Sequence, residues 1–151
     1  MTTSDVRVRR PKSYEVLIQQ LRDDAGFPTM RDILLFAAAL GKFQGRRQPF
    51  DESSEPIRYE TLTDPAYAAT LVNMLAAVTE ADDPEVLSGS RLTERVRIFE
   101  EFANGGLEYL QEQKNVRQLP LNLLVAALVT EALDEAAAQP APIDDLLEGM
   151  F

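Results

Sequence analysis

The residues equipped for chemistry in this chain are its cations and its carboxylates, because the other usual reagents are missing. The 151 residues include no cysteine and no histidine. That removes thiolate and imidazole chemistry, cysteine- or histidine-ligated zinc, and the serine–histidine and cysteine–histidine nucleophile pairs. The adjacent acids Asp82-Asp83, Glu100-Glu101 and Asp144-Asp145 are the first candidates for acid–base or metal work. Neighbours in sequence do not face each other on a helix, and no further ligand accompanies them. They read as solvated faces. No catalytic residue, metal ligand or cofactor is expected, and the chain reads as a non-enzyme.

The cations are unevenly distributed. Net charge is −10, yet residues 1–50 hold nine basic and five acidic side chains, and residues 51–151 hold six and twenty. Such asymmetry points to partners of opposite sign. Two basic clusters stand out. In the first, Arg7, Arg9, Arg10 and Lys12 lie around Val6 and Val8. The period of two reads as a short strand or extended arm, with the valines facing a core and Arg7 and Arg9 facing outward. Arm, proline, helix, turn and helix together resemble a ribbon-helix-helix start, in which two chains pair their strands and the outward residues read the major groove. The competing reading is a solvated basic arm. The second cluster, Lys42, Arg46 and Arg47, lies in Gly41-Lys-Phe-Gln-Gly45-Arg-Arg-Gln-Pro-Phe50. Glycines there can expose amides to an anion or an acidic protein surface. The competing reading is a structural loop, with Phe43 and Phe50 anchored and the arginines paired to Asp51, Glu52 or Glu55.

Helices must position these clusters. Hydrophobic residues are 45% and charged residues 26%, a mixture that suits one globular core. The pattern predicts an all-α single domain of about five helices: a basic arm or strand at 1–12, a helical domain at 13–138 and an acidic flexible tail at 139–151. A first helix is expected from about Ser13 to Ala25, on the stripe Tyr14, Leu17, Ile18, Leu21. A second begins at the capping sequence Thr29-Met-Arg-Asp32 and stops at Gly41. Residues 42–63 form a long connection in which Ile57 to Thr61 can add a strand. A third helix starts at Asp64-Pro65, with Tyr67, Leu71, Leu75 and Val78 inward. A fourth runs from about Ser90, and Gly105-Gly106 is expected to break or bend it. The last runs from Pro120 to Ala138, with Leu121, Leu124, Val125, Leu128, Val129 and Leu133 inward. The second and last helices are expected at the centre, over a core of Leu34, Phe36, Leu40, Leu71, Leu75, Phe99, Leu124 and Leu128. The acidic tail carries Leu146, Leu147 and Phe151 and can dock as a short peptide in a basic, apolar pocket; a frayed terminus or a last turn against the core is the preferred reading. No stretch reaches the roughly 20 apolar residues of a membrane span, and the first residues lack a signal-peptide core. A cytoplasmic protein that does not enter the membrane is expected.

Three motifs in order carry a resemblance. They are Val8-Arg-Arg-Pro-Lys-Ser-Tyr14, Met30-Arg-Asp-Ile-Leu-Leu-Phe-Ala-Ala-Ala-Leu-Gly41, and Gly45-Arg-Arg-Gln-Pro-Phe50 with Glu55-Pro-Ile-Arg58. Together they resemble DNA phosphorothioation-associated protein 4, a family of small proteins encoded beside Dnd-type systems. Those systems replace a non-bridging phosphate oxygen with sulfur and restrict unmodified DNA. The resemblance implies an accessory or adaptor component of a modification, restriction and phage-defence system. Its partners would be the system's other proteins and, through the two basic clusters, duplex DNA. A dimeric ribbon-helix-helix-like regulator of the same system is the alternative. The family supplies no catalytic residues to carry over, and the net negative charge favours the adaptor.

Overall fold

Val6 and Val8 alternate with Arg7, and the alternation behaves as period two dictates: both valines are buried and Arg7 is exposed. The computed structural model describes residues 6–138; the predicted tail at 139–151 lies outside them. β1 (Arg7–Val8) pairs antiparallel with β2 (Ile57–Arg58), Arg7 opposite Arg58 and Val8 opposite Ile57. The pairing extends beyond the strands. The amides of Tyr59, Ser54 and Lys12 donate to the carbonyls of Val6, Arg10 and Glu52, each at 3.1 Å. The expected strand is therefore present, and the long connection serves as its partner.

A 3-10 turn, Lys12–Tyr14, leads into α1 (Glu15–Asp24), which buries Leu17, Ile18 and Leu21. α2 (Met30–Phe43) starts where its cap predicts. The Thr29 hydroxyl accepts from the Asp32 amide at 3.2 Å and donates to the Asp32 carboxylate at 2.6 Å. After β2 come the single turn α3 (Tyr59–Leu62) and then α4 (Ala66–Thr79), which follows Asp64-Pro65. Two short 3-10 turns at 84–91 precede α5 (Leu92–Arg117). Gln118, at φ 53°, closes α5 in the left-handed conformation. The chain then turns by 113° into α6 (Leu121–Ala138).

The centre is the crossing of α2 with α5, not of α2 with α6. Glycine makes the crossing close. A Cβ on Gly41 would sit 2.9 Å from the Gly106 nitrogen and closer still to the Phe102 carbonyl oxygen, and one on Gly106 would strike the Ala37 carbonyl. This corrects two sequence expectations. Gly41 does not stop α2, and Gly105-Gly106 does not break α5, because both sites are contacts between helices rather than helix ends. α4 lies against α5, while α1 lies against α2 and α6.

Leu34, Leu40, Leu75, Phe99, Leu124 and Leu128 are buried as expected, and Phe36 and Leu71 partly so. Two helix faces differ from expectation. α4 buries its small side, Ala68, Val72, Leu75 and Ala76, and leaves Tyr67 and Val78 outside. α6 buries Leu121, Leu124 and Leu128, whereas Val129 and Leu133 are exposed. Among the described residues no single helix is long and apolar enough to cross a membrane.

Candidate interaction site

α5 carries a row of carboxylates, and the predicted basic residues converge on it. Glu100 is only 4% exposed. It accepts from the Arg9 amide at 2.6 Å, from Arg9 Nε at 3.1 Å and from Arg9 Nη2 at 3.0 Å. The Arg9 guanidinium also lies 4.6 Å from the centre of the Phe50 ring. Burial pushes the Glu100 carboxyl above its ordinary value, against the downward pull of Arg9. About two turns along, Arg46 spans Glu108 at 3.1 Å and Glu112 at 2.8 Å and lies over the Tyr109 ring. Its hydrogen bond holds the Glu112 carboxyl below the usual range. Arg47 Nε donates to Glu101 at 2.7 Å. The backbone follows the same track: the Gln48 amide donates to the Glu101 carbonyl, and Asn104 Nδ2 donates to the Gln48 carbonyl. Loop 44–50 is thus laid along α5, and Gly105 is needed there because a Cβ would meet the Arg46 carbonyl.

The predicted cations therefore divide. Arg9, Arg46 and Arg47 are neutralised on α5, and Arg10 pairs with Glu15 at 3.5 Å. Lys42 lies over the Phe102 ring at 5.3 Å. Arg7 and Lys12 are exposed and are in no ion pair among the described residues. Glu100-Glu101 is not a solvated face: both residues bind arginines from far away in sequence. Loop arginines find acids on α5 rather than the local Asp51, Glu52 or Glu55. The outward-reading role for Arg9 does not fit its position. A ribbon dimer also needs a free strand edge, yet β2 takes one edge of β1 and Glu100 takes the Arg9 amide on the other.

Three features escaped the sequence reading. Arg95 is buried, and its Nη1 donates to the carbonyls of Val86 at 2.8 Å and Ser88 at 2.6 Å, pinning the 3-10 turns. Arg58 and Arg97 are exposed and stand near Arg7. The third is the outer face of α4. Tyr67, Met74 and Val78 are 60%, 58% and 59% exposed, with Leu71 half-buried between them. Their spacing of four, three and four residues makes a stripe along one helix face. No residue of α4 is charged, a signal that was available in the sequence. A second apolar groove, of about 270 Å³, lies between α2 and α6 and is lined by Phe36, Phe43, Val129 and Leu133 among others.

Among the described residues, no three acidic side chains converge as a metal site. No curated protein and no solved structure matches the chain. Its motifs, helices and paired N-terminal strand lie within the stretch, residues 7–145, that matches the profile of one family. The chain belongs to the family of DNA sulphur modification system-associated protein 4.

Proposed function

We propose that this protein is a non-catalytic adaptor of a bacterial DNA sulphur modification and restriction system, acting in the cytoplasm in phage defence. It docks an amphipathic helix of a larger protein of that system on the outer face of α4. The observation that carries the reading is the Tyr67–Leu71–Met74–Val78 stripe on a helix without a single charge, in a chain of net charge −10. A helix apolar on all sides is ordinarily covered on all sides, and α4 is covered on one. The heptad-like spacing matches what a second helix presents. Fourteen residues make a helix about 21 Å long, a length that one partner helix covers; a second copy of the chain is an outcome of the test.

The test is co-expression of the tagged chain with the system's other proteins, followed by purification. Wild type is expected to bring down one of them. Met74→Glu and Val78→Glu should lose it, and Val116→Glu, still more exposed at the end of α5, should keep it. Retention of the partner by Met74→Glu would overturn the reading, as would a homodimer in sedimentation that Met74→Glu dissolves.

A further inference from the structure

We propose that Arg7 and Arg97 form a binding site for a phosphate-class oxyanion between the outer edge of β1 and the first half of α5, with Arg58, opposite Arg7 on β2, at its margin. The site is separate from the α4 face and does not depend on helix docking there.

Charge is the first ground. Seven arginines of this acidic chain are in ion pairs, but Arg7, Arg58 and Arg97 are in none among the described residues. Two nearby carboxylates are already engaged: Glu94, one turn before Arg97, is held by Arg91 at 2.7 Å, and Asp64, beside Arg58, is held by Arg31 at 3.8 Å. Glu60 and Glu80 line neighbouring grooves with Arg58 and Arg97, outside the cavity that Arg7 and Arg97 share. Arg7 and Arg58 are also directly opposite each other across the ribbon. The Tyr59 amide bonds to the Val6 carbonyl, which puts the two arginines at the closely spaced, non-hydrogen-bonded position. Like charges directly opposite are destabilising, and an anion between them removes the penalty.

Geometry is the second. A cavity of about 310 Å³ is lined by Arg7, Arg9, Arg97, Glu100, Thr93 and Val96, among others. At the non-hydrogen-bonded position the Arg7 amide turns away from β2, along the edge where the Arg9 amide reaches Glu100. The Arg7 amide therefore faces the edge that the cavity borders. Glu100 does not compete for Arg7 and Arg97, because Arg9 gives it three hydrogen bonds. With Glu100 ionised and paired to Arg9, Arg7 and Arg97 leave the cavity lining with a charge of +2; Arg58 is outside the lining.

The donor set selects the ligand. A carboxylate has two oxygens and is satisfied by a single arginine residue, as Glu100 is by Arg9, whose guanidinium serves one oxygen and whose amide serves the other. Two or three further forks match a tetrahedral group with more oxygens, and arginine suits such bidentate contact better than lysine. A phosphodiester in a nucleic-acid backbone and free phosphate share this chemistry.

The experiment titrates the full chain with inorganic phosphate, followed by amide NMR shifts, and with a short duplex DNA, followed by fluorescence anisotropy at two salt concentrations. Phosphate should move the amides of Arg7, Val8 and Arg97. Arg7→Ala, Arg58→Ala and Arg97→Ala should each weaken binding about tenfold, the loss expected for hydrogen bonds to a charged group. Arg22→Ala removes an exposed charge elsewhere and should leave affinity within about twofold. Duplex binding that falls with salt and is displaced by phosphate assigns the site to a nucleic-acid backbone; phosphate binding without duplex binding assigns it to the free anion. Absence of binding to both overturns the proposal, as does unchanged binding when Arg7→Ala, Arg58→Ala and Arg97→Ala are combined in one chain. Folding is checked by circular dichroism. Removing one of two facing like charges should hold or raise the melting temperature of Arg58→Ala, and a clear fall would mean that the arginines are structural, against the proposal.

Discussion

Replacing Gly106 by alanine sets two effects of opposite sign against each other. In an isolated helix the change is favourable, because glycine costs about 1 kcal/mol relative to alanine. In this fold Gly106 faces α2. A Cβ there would fall inside contact distance of the Ala37 carbonyl oxygen, 2.7 Å from the Ala37 carbonyl carbon and 3.0 Å from the Gly41 nitrogen. All of these are backbone atoms of a buried helix, so no side chain can swing aside. The helices must separate by about 1 Å or more, and a gap of that order forfeits a quarter to a half of each contact's attraction. The contacts at risk include buried Ala37, Ala38, Phe102 and Ala103. Overpacking alone typically costs about 1–3 kcal/mol, and a rigid backbone obstacle belongs at the upper end. Adding the loosened crossing and subtracting the helix gain leaves a net loss of about 2–4 kcal/mol, a large share of an ordinary domain's 5–15. Urea unfolding followed by helical circular dichroism reads this directly. Gly89→Ala is the control: its Cβ meets nothing within 4 Å, and the change should be neutral or stabilising by about 0.5 kcal/mol. If Gly106→Ala raised the unfolding midpoint as helix propensity alone requires, the close crossing would be wrong.

Other perturbations separate the ion pairs from one another. Arg9→Met leaves Glu100 buried without its counter-charge. Its cost at pH 7 is capped by the alternative of protonating the carboxyl, about 3 kcal/mol at 1.36 per unit above 4.5, and denaturant titrations should show a smaller loss at pH 5 than at pH 8. Burial already raises Glu100 above its ordinary 4.5, so the folded state holds the proton more tightly than the unfolded chain. That contribution is full below 4.5 and fades as pH rises through the folded value, and Glu100→Gln should flatten the stability slope just above pH 4.5. Glu112, held low by Arg46, acts in the opposite sense. Its contribution is present above 4.5 and lost as pH falls through the folded value, and Glu112→Gln should flatten the acid limb. Arg95→Met strands the Val86 and Ser88 carbonyls and should cost about 2–3 kcal/mol in the same unfolding assay, with faster hydrogen exchange at 84–91.

The parts of the fold that follow from neighbours in sequence were legible there. Thr29-Met-Arg-Asp32 starts a helix because a cap acts within one turn, and Val6 to Val8 form a strand flank because alternation is local; α4 does follow Asp64-Pro65, but Pro65 itself is the cap position and Asp64 makes no capping bond. The misread parts depend on distant contacts. Gly105-Gly106 looks like a break only while nothing is packed against it. In α4 nearly every position is apolar or small, so periodicity does not select a face; the longer side chains drew the inward assignment, and the alanine side won because it permits closer packing on α5. α6 went wrong for a related reason. Its apolar residues run most of the way round, and the neighbouring helices cover only the Leu121–Leu124–Leu128 side. The ion partners of Arg9, Arg46 and Arg47 lie 91, 62 and 54 residues away, a distance no local pattern spans.

The charge asymmetry of the sequence takes a different meaning in the fold. A basic first third and an acidic remainder suggest an external partner for each. In the structure much of the basic excess is spent internally, on the Glu100–Glu112 side of α5, where it holds the arm and loop 44–50 in place. Any external anion must then be met by cations that this latch does not use. Arg7 is one that the basic clusters contained. Arg58 and Arg97 are drawn from the acidic part of the chain, where neither belongs to a basic run. The internal pairing and the proposed oxyanion site make opposite demands on salt. Stability from the half-exposed Arg46 and Arg47 pairs should decline modestly with added chloride, while duplex binding at Arg7, Arg58 and Arg97 should fall steeply, with a slope set by the number of phosphates neutralised. Charge reversal separates the two. Arg46→Glu with Arg47→Glu should loosen the loop and lower the melting temperature while leaving anion affinity within about twofold. Arg97→Glu should abolish binding and leave the loop in place. If both reversals changed binding equally, the anion would be responding to the net charge of the molecule and not to a built site.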